Sequence, residues 1–455
     1  MHLKKLILEQ FRNHQKFELE FDSSQPVTYI VGENAQGKTN ILEAIYLLAL
    51  TKSFRTNNHE DMVQWETEFG RVKGFFAVDA ASNRATGHPA ADAEFLKRTA
   101  DSLSANSTTG LSQFFNSSYN QPFELEVFLG RPPHPGKVHK KNGVKTSAAN
   151  FIGSFQVVFF HPEDLNMLYL GPDLRRRYLD ILNLQINKKY YQALRAYRRI
   201  LDQRNTLLHQ LKDGYAKAAD VEIWDEQLIE NGSVLIQERA KSIEFFHQNL
   251  QAQYRKISQG NEEVTAHYQH CLGDYLPTGD SAKKTNFSST ADSRTTAESI
   301  SNISLEQIKE AYQKALKAAQ PKDFKSEHTS IGPHRDDLVF YLNGLPLSQH
   351  ASRGEYRSLL LSLKLLELEF YQQKSGQKPL LLLDDVFSEL DGSRQRMLLE
   401  AIQTHQTIIT ATHEIEPDLA ADLNLGEKTI RQHQQLNLKT KIANKMHAAV
   451  EDQPF

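Results

Sequence analysis

The sequence predicts an α/β protein in which both ends of the chain build one domain and a mainly helical domain is inserted between them. Three observations lead there. Residues 1–79 alternate apolar and polar side chains ("LKKLILEQF", "FELEF", "VKGFFAV"), the period of half-buried strands. Residues 173–270 contain no proline, and Leu194, Tyr197, Leu201 and Leu208 fall near helical spacing. Residues 305–437 return to a mixed pattern, with the apolar runs of buried strands at 380–383 and in "QTIITATHEI". At 455 residues the chain has room for two or three domains. The expected division is 1–170 and 305–438 for the first domain, 171–304 for the inserted helical domain, and 439–455 for a flexible tail.

Composition narrows the class. Apolar residues make up 39% and charged residues 24%, a globular balance. The formal net charge of −3 gives no global attraction to nucleic acid, so any such binding must come from local basic patches. The single cysteine, Cys271, excludes a disulfide framework and fits a reducing, cytoplasmic compartment. The first 21 residues carry charges too closely spaced for a signal peptide. No apolar run reaches ~18 residues, so no membrane span is expected. Residues 80–120 and 276–303 are rich in Ser, Thr, Ala and Asn. Such segments bury too little apolar surface to offset their ordering entropy and read as disordered surface insertions.

Taken in order, the elements place the chemistry. After the first strands, "YIVGENAQGKTNILEAIYLL" (29–48) runs from a β-rich segment through a Gly-rich loop into a helix pattern. Gly32, Glu33, Asn34, Ala35, Gln36, Gly37, Lys38 and Thr39 match G-x-x-x-x-G-K-[ST]. The glycines let backbone N–H groups turn onto phosphate oxygens, Lys38 supplies a charge to the β/γ-phosphates, and the Thr39 hydroxyl can ligate Mg²⁺. ATP with Mg²⁺ is therefore the expected cofactor pair. Further on, Asn142-Gly143 in "KVHKKNGVKTS" signals a hairpin. In "QHASRGEYRSLLLSLKLLELEFY", Ser352 fits an N-cap, and Leu359, Leu363, Leu366 and Phe370 make one apolar face. Spacing alone fits both a capped core helix and a helix whose N-terminus faces an anion. Leu380 to Leu383 read as a central parallel strand, with Asp384 and Asp385 at its carboxyl end, where ligands bind in open α/β sheets. One carboxylate can hold Mg²⁺ and the next can polarise an attacking water. The last strand ends at His413, a candidate γ-phosphate contact; a histidine at a strand end also fits a purely structural role.

Several stretches occur together in a fixed order: "FRNH", the phosphate loop, "TKSFRT" (51–56), "FFHPEDLNMLYLGPDLRRRYLD" (159–180), "TSIGPHRDDL" (329–338), "ASRGEYRS" (351–358) and "LLLDDVFSELD" (381–391). In this the chain resembles the RecF family of bacterial DNA replication and repair proteins, relatives of the SMC and Rad50 ATPases. The resemblance implies an ABC-type P-loop ATPase head. It also implies an ATP-dependent homodimer with weak ATPase activity that binds single-stranded and gapped DNA and cooperates with RecO and RecR to load RecA. Residue by residue, it aligns Gly32–Thr39 with Walker A, Asp384 and Asp385 with Walker B, and Ser352, Arg353, Gly354, Glu355 and Arg357 with the signature that acts across the dimer. Ser388–Asp391, including Glu389, aligns with the D-loop; Arg12, Asn40 and Arg55 fall near the nucleotide. Two departures stand out. The signature reads Ser-Arg-Gly-Glu where Ser-Gly-Gly-Gln is usual, and Asp385 stands where Glu usually follows the Walker B Asp. Gln156 is the nearest candidate for a Q-loop glutamine.

A basic run offers a DNA surface. Between 173 and 204 lie Arg175, Arg176, Arg177, Lys188, Lys189, Arg195, Arg198, Arg199 and Arg204 against Asp173, Asp180 and Asp202, nine positive and three negative charges. Lys140 and Lys141 of the hairpin add to it. Contacts of this kind hold phosphate without reading sequence; a solvated helix face is the competing reading. Adjacent arginines such as 175–177 point in different directions on a helix, so some must pair internally. Three rival functions remain: a transporter-type ATPase subunit, an SMC/Rad50-like head, and a nucleotide-gated structural protein.

Overall fold

The computed structural model describes residues 1–22, 25–33, 35–77, 122–258, 260–276, 301–387 and 390–412. The expectations for 80–120, for 277–300, for the tail, and for Asn34, Ser388, Glu389 and His413 lie outside these residues. The chain divides into two compact units, Met1–His161 with Tyr371–Phe455, and Pro162–Phe370.

The first unit holds two sheets. Strands β1 (His2–Phe11), β2 (His14–Glu20), β4 (Phe69–Ala77), β5 (Phe123–Gly130), β6 (Gly136–Lys141) and β7 (Val144–Thr146) form an antiparallel sheet in the order β2-β1-β4-β5-β6-β7. Alternation sends Leu6 and Leu8 of β1 and Val72 and Phe76 of β4 into the core. The other face carries charge pairs: Lys5 with Glu18 and Glu20, Arg71 with Glu9, and Lys73 and Lys140 with Glu126. The β6–β7 turn takes Asn142 and Gly143 at φ 52° and 76°, both positive as a two-residue hairpin turn of this kind requires. The second sheet is parallel, in the order β3 (Val27–Val31), β13 (Thr407–Ala411), β12 (Leu380–Asp384) and β8 (Val157–Phe160). The run Leu380–Leu383 is central and fully buried, as its composition predicts. Helix α1 (Lys38–Leu50) contacts strands of both sheets, and all ten residues from Ile41 to Leu50 are buried. Burial on every side accounts for a sequence that is apolar from Ile41 to Leu50 except at Glu43.

The second unit is mainly helical. Helix α2 (Pro172–Leu184) starts on proline, whose missing N–H is harmless at the first turn. Helix α3 (Lys188–Lys212) is capped by Asn187, which accepts from Tyr190 N. It packs on α4 (Ala218–Ser258), 41 residues or roughly 60 Å long. Helix α5 (Leu305–Ser326) opens on a Ser304–Gln307 capping box. A small antiparallel sheet, β11 (Leu345–Pro346), β10 (Asp337–Leu342) and β9 (Val264–Gln269), completes the unit with most of α6 (Arg353–Ser375). A last helix, α7 (Gly392–Ile402), belongs to the first unit. The sequence reading ended the helical domain at 304; the compact unit extends to Phe370, because β9 pairs with β10 across about seventy residues of chain. Helix α6 is buried around its whole circumference from Ser358 to Leu368, where spacing had suggested a single apolar face.

Candidate nucleotide site

Four parallel strands point their carboxyl ends at one edge of the first unit, and the loop after β3 lies there. Gly37 caps α1 at φ 94° in the left-handed region. A Cβ at that position would collide with the side chains of Asn13 and His14, so only glycine fits. Lys38 Nζ donates to the carbonyls of Gly32 (2.6 Å) and Glu33 (2.7 Å), bridging the loop. Burial pushes its ammonium below the usual 10.5, against the pull of Asp385 and Asp384 nearby.

Thr39 and Asp384, 345 positions apart, meet here. Thr39 Oγ1 donates to Asp384 Oδ1 at 3.0 Å, and Thr410 Oγ1 of β13 donates to the same oxygen at 2.6 Å. Hydroxyl and carboxylate are hard oxygen donors, the set that suits Mg²⁺ when substrate phosphates complete the shell. No cluster of three or more His, Cys, Asp or Glu side chains forms a self-sufficient metal site among the described residues. Asp385 follows with φ 52°, a left-handed conformation uncommon for a non-glycine residue, while its N–H still bonds Thr410 O at 3.0 Å. The carboxylate thus sits just past the end of the ladder, at the edge where the loop and Lys38 lie.

Arg12 and Arg55 are held against α1. Arg12 grips Glu43 with two bonds (2.9 and 2.6 Å) and reaches Asp61 O with a third nitrogen (2.7 Å). Glu43 is fully buried and also accepts from Ser53 Oγ, which in turn accepts from the N–H groups of Arg55 and Thr56. Arg55 Nη1 donates to Asn40 Oδ1 at 2.9 Å, and Asn40 Nδ2 to Asn13 at 2.8 Å. The segments "FRNH" and "TKSFRT" are therefore laced to the helix that follows the phosphate loop. Arg12, which the sequence reading placed near the nucleotide, has its guanidinium engaged by Glu43 and by Asp61 O. Glu43 was missed; its signal was a single acid inside the apolar run "NILEAIYLL". His14 was missed too. It is buried, its Nε2 lies 3.2 Å from Gly37 O, and burial holds its imidazole below 6.5.

Gln156 is a correction. It precedes β8, and its carbonyl accepts from Leu380 N at the amino end of β12. That is the wrong end of the parallel sheet, roughly 13 Å along the strands from the nucleotide edge. The residue at the carboxyl end of β8 is His161, stacked on Phe159 (4.7 Å) and Phe54 (5.9 Å).

The signature residues lie in the second unit. Ser352 caps α6: its Oγ accepts from Glu355 N (3.3 Å) and its N–H donates to Glu355 Oε2 (2.6 Å). This is a capping box, so Glu355 in place of glutamine has a local purpose. Ser352 and Arg353 are exposed at the helix's N-terminus.

The basic candidates divide sharply. Arg175 donates to both oxygens of Asp337 (2.7 and 2.8 Å) and to the carbonyls of Met167 and Leu170. Arg176 bonds Asp336 O and Asp173. Arg204 is completely buried with Asp225, Asp323 and Thr329. Arg198 pairs with Asp180 at 2.9 Å. In the first unit Lys140 bonds Glu126 and Lys141 bonds Ser154 Oγ. Arg175, Arg176, Arg198, Lys140 and Lys141 thus each have an internal partner, where the sequence reading placed them in a phosphate-binding set. Lys188, Lys189, Arg195 and Arg199 are exposed on α3. Lys188, Arg195 and Arg199, at i, i+7 and i+11, share one face within about 40°. The "TSIGPHRDDL" motif proves architectural: Asp336 accepts from Tyr268 Oη and Cys271 N, Arg239 donates to Pro333 O, and His334 Nδ1 lies 2.7 Å from Tyr197 Oη. Gly332, at φ 142°, leaves room for the hydroxyls of Tyr197 and Tyr312, which a Cβ would overlap.

Comparison with known proteins agrees with this geometry. The RecF/RecN/SMC N-terminal domain family matches residues 2–432. DNA replication and repair protein RecF of Halalkalibacterium halodurans is 33% identical over 443 residues, covering 97% of this chain and all of its own. RecF of Bacillus cereus is 33% identical over 415 residues, covering 90% of this chain and 92% of its own. Among solved structures, the recombination mediator protein RecF-ATPrS in the RecFOR pathway superposes with a TM-score of 0.72 at 30% identity, over 91% of this chain and 93% of that one. The corresponding RecF-ATP structure gives 0.70 at the same identity.

Proposed function

The chain belongs to the RecF family of DNA replication and repair proteins, and on that premise we propose that it is an ATP-dependent DNA-binding protein whose two copies are clamped together by nucleotide. The observation that carries this reading is the Thr39–Asp384 bond at 3.0 Å, which joins the two halves of a phosphate and metal site from opposite ends of the chain. The N–H groups of the Gly32–Thr39 loop and the Lys38 ammonium would hold the phosphates. Thr39 and Asp384 would hold Mg²⁺, which supplies charge neutralisation at the β/γ-phosphates. Asp385 would orient an attacking water; an aspartate reaches less far than the usual glutamate, which would suit slow turnover.

The signature of the partner copy completes the clamp in this reading. Ser352 and the N-terminus of α6 would present a hydroxyl and a positive helix end to a γ-phosphate held by the other chain. Lys188, Lys189, Arg195 and Arg199 would contact DNA phosphates at single-strand gaps and single/double-strand junctions. The reading includes cooperation with RecO and RecR in loading RecA, supported by the RecFOR pathway in which the solved RecF structures are described. The test is DNA binding with ATP, with ADP and with Lys38→Met protein, on gapped, single-stranded and duplex DNA. Tight ATP-dependent binding to gapped DNA, lost in the variant, supports the reading. Equal binding with and without ATP contradicts it.

A further inference from the structure

Trp65 is 80% exposed, in a segment no part of the ATP chemistry uses. It stands at the tip of a tight turn. Thr67 N and Oγ1 both donate to Gln64 O (3.3 and 2.8 Å), and Glu66 takes φ 64°. The turn is held from two sides. Arg131 donates to the carbonyls of Glu60 (2.9 Å), Val63 (3.0 Å) and Gln64 (3.0 Å), and its guanidinium lies 5.9 Å from the Trp65 ring centroid. Arg12 donates to the carbonyls of Asp61 and Met62, the latter through its backbone N–H. An indole fixed in water loses little freedom when a partner covers it, and tryptophan is a common anchor of interfaces.

The surroundings extend the patch and set its sign. Phe69 faces Gly130 across the β4–β5 ladder, one residue from Arg131, and stacks on Phe128 at 5.7 Å. Residues 57–69 contain Glu60, Asp61, Glu66 and Glu68 and no lysine or arginine. Asp61 bonds Thr56 and Asn58. No ion pair engages Glu60, Glu66 or Glu68 among the described residues. Arg71 is paired with Glu9, its guanidinium 5.8 and 5.9 Å from the Phe69 and Phe128 ring centroids, and Arg131, bonded to neutral carbonyls, sets one positive charge against these four acids. The patch is therefore aromatic and acidic, which repels a phosphate backbone and attracts a cation.

We propose that the Trp65 turn is a docking site for a basic protein segment, one presenting Lys or Arg beside an apolar side chain. The cation would lie over the indole and against Glu66 or Glu68, and the apolar group against Phe69 and Phe128. The chain has two tryptophans, so Trp224→Phe leaves Trp65 as the single tryptophan, excited selectively at the red edge where the tyrosines do not absorb. That protein is titrated with a short peptide of alternating Arg and Leu, with its Glu–Leu counterpart, and with oligothymidylate of the same length. The expected result is a saturable blue shift with the Arg–Leu peptide alone. In anisotropy with labelled peptide, Trp65→Ala and the Glu66→Lys/Glu68→Lys pair each weaken binding about tenfold or more, while ATP binding, the control for folding, is kept. A peptide that fails to shift Trp65, one that binds Trp65→Ala as well as the parent, or an oligonucleotide that shifts Trp65 more strongly would each overturn the assignment.

Discussion

At the scale of single residues, the site divides into groups that would touch nucleotide and groups that hold those in place. Lys38 is of the first kind. A charge-assisted bond is worth about 1.5–3 kcal/mol, so Lys38→Met should weaken ATP binding roughly tenfold to a hundredfold, read by equilibrium titration with a fluorescent analogue. Asp385→Asn keeps volume and removes a carboxylate; it should bind ATP as the parent does and hydrolyse it at least about tenfold more slowly in single turnover. Unchanged turnover would move the role to another group. Glu43 is of the second kind. Glu43→Ala strands Arg12 beside a buried void and should cost about 3–5 kcal/mol in urea unfolding of the full chain, with Glu43→Gln recovering part of it. His334 gives a pH dependence. Burial holds it near 4, against 6.5 when unfolded, and its Nε2 donates to Thr329 O. The unfolded chain therefore binds a proton that the folded chain refuses between those values. The resulting stability is present above about pH 6.5 and declines as pH falls toward 4, and His334→Gln should flatten that decline.

At the scale of elements, the sequence was most legible where one element serves one purpose. The strand Leu380–Leu383, the loop-to-α1 junction and the Asn142-Gly143 hairpin all stand where composition and turn chemistry put them. What was hidden is pairing across distance. Arg175 meets Asp337 162 positions away, and Arg12 meets Glu43 31 positions away. Nothing in spacing distinguishes an arginine that will be gripped by a carboxylate from one that will face solvent. Gln156 was misplaced because a sequence pattern gives a strand's existence more readily than its polarity relative to a site. These distinctions yield a paired test on the helices. Reversal of Arg195 and Arg199 on α3 to Glu should weaken binding to all DNA sequences alike and flatten its dependence on salt, leaving ATP binding intact. Reversal of Arg175 should instead lower the melting temperature, since it leaves Asp337 facing a second negative charge. If both variants behave alike, the division between exposed and engaged arginines fails.

At the scale of the whole molecule, the central claim is that nucleotide works as a clamp between two copies. A loop that binds phosphate senses nothing by itself. Sensing requires a second surface that needs the γ-phosphate, and Ser352 at the exposed start of α6 is suited to be that surface on the partner chain. A two-fold dimer would contain two such composite sites, each with Lys38 of one chain and Ser352 of the other. Mixing Lys38→Met with Ser352→Arg would restore at most one sound site per pair. The most direct measurement is sedimentation of the parent and of Ser352→Arg with ADP, with ATP and with a slowly hydrolysed ATP analogue. The clamp predicts a dimer of the parent with ATP or the analogue and a monomer with ADP, while Ser352→Arg binds ATP and stays monomeric throughout. A Ser352→Arg protein that dimerises with ATP as readily as the parent would contradict it.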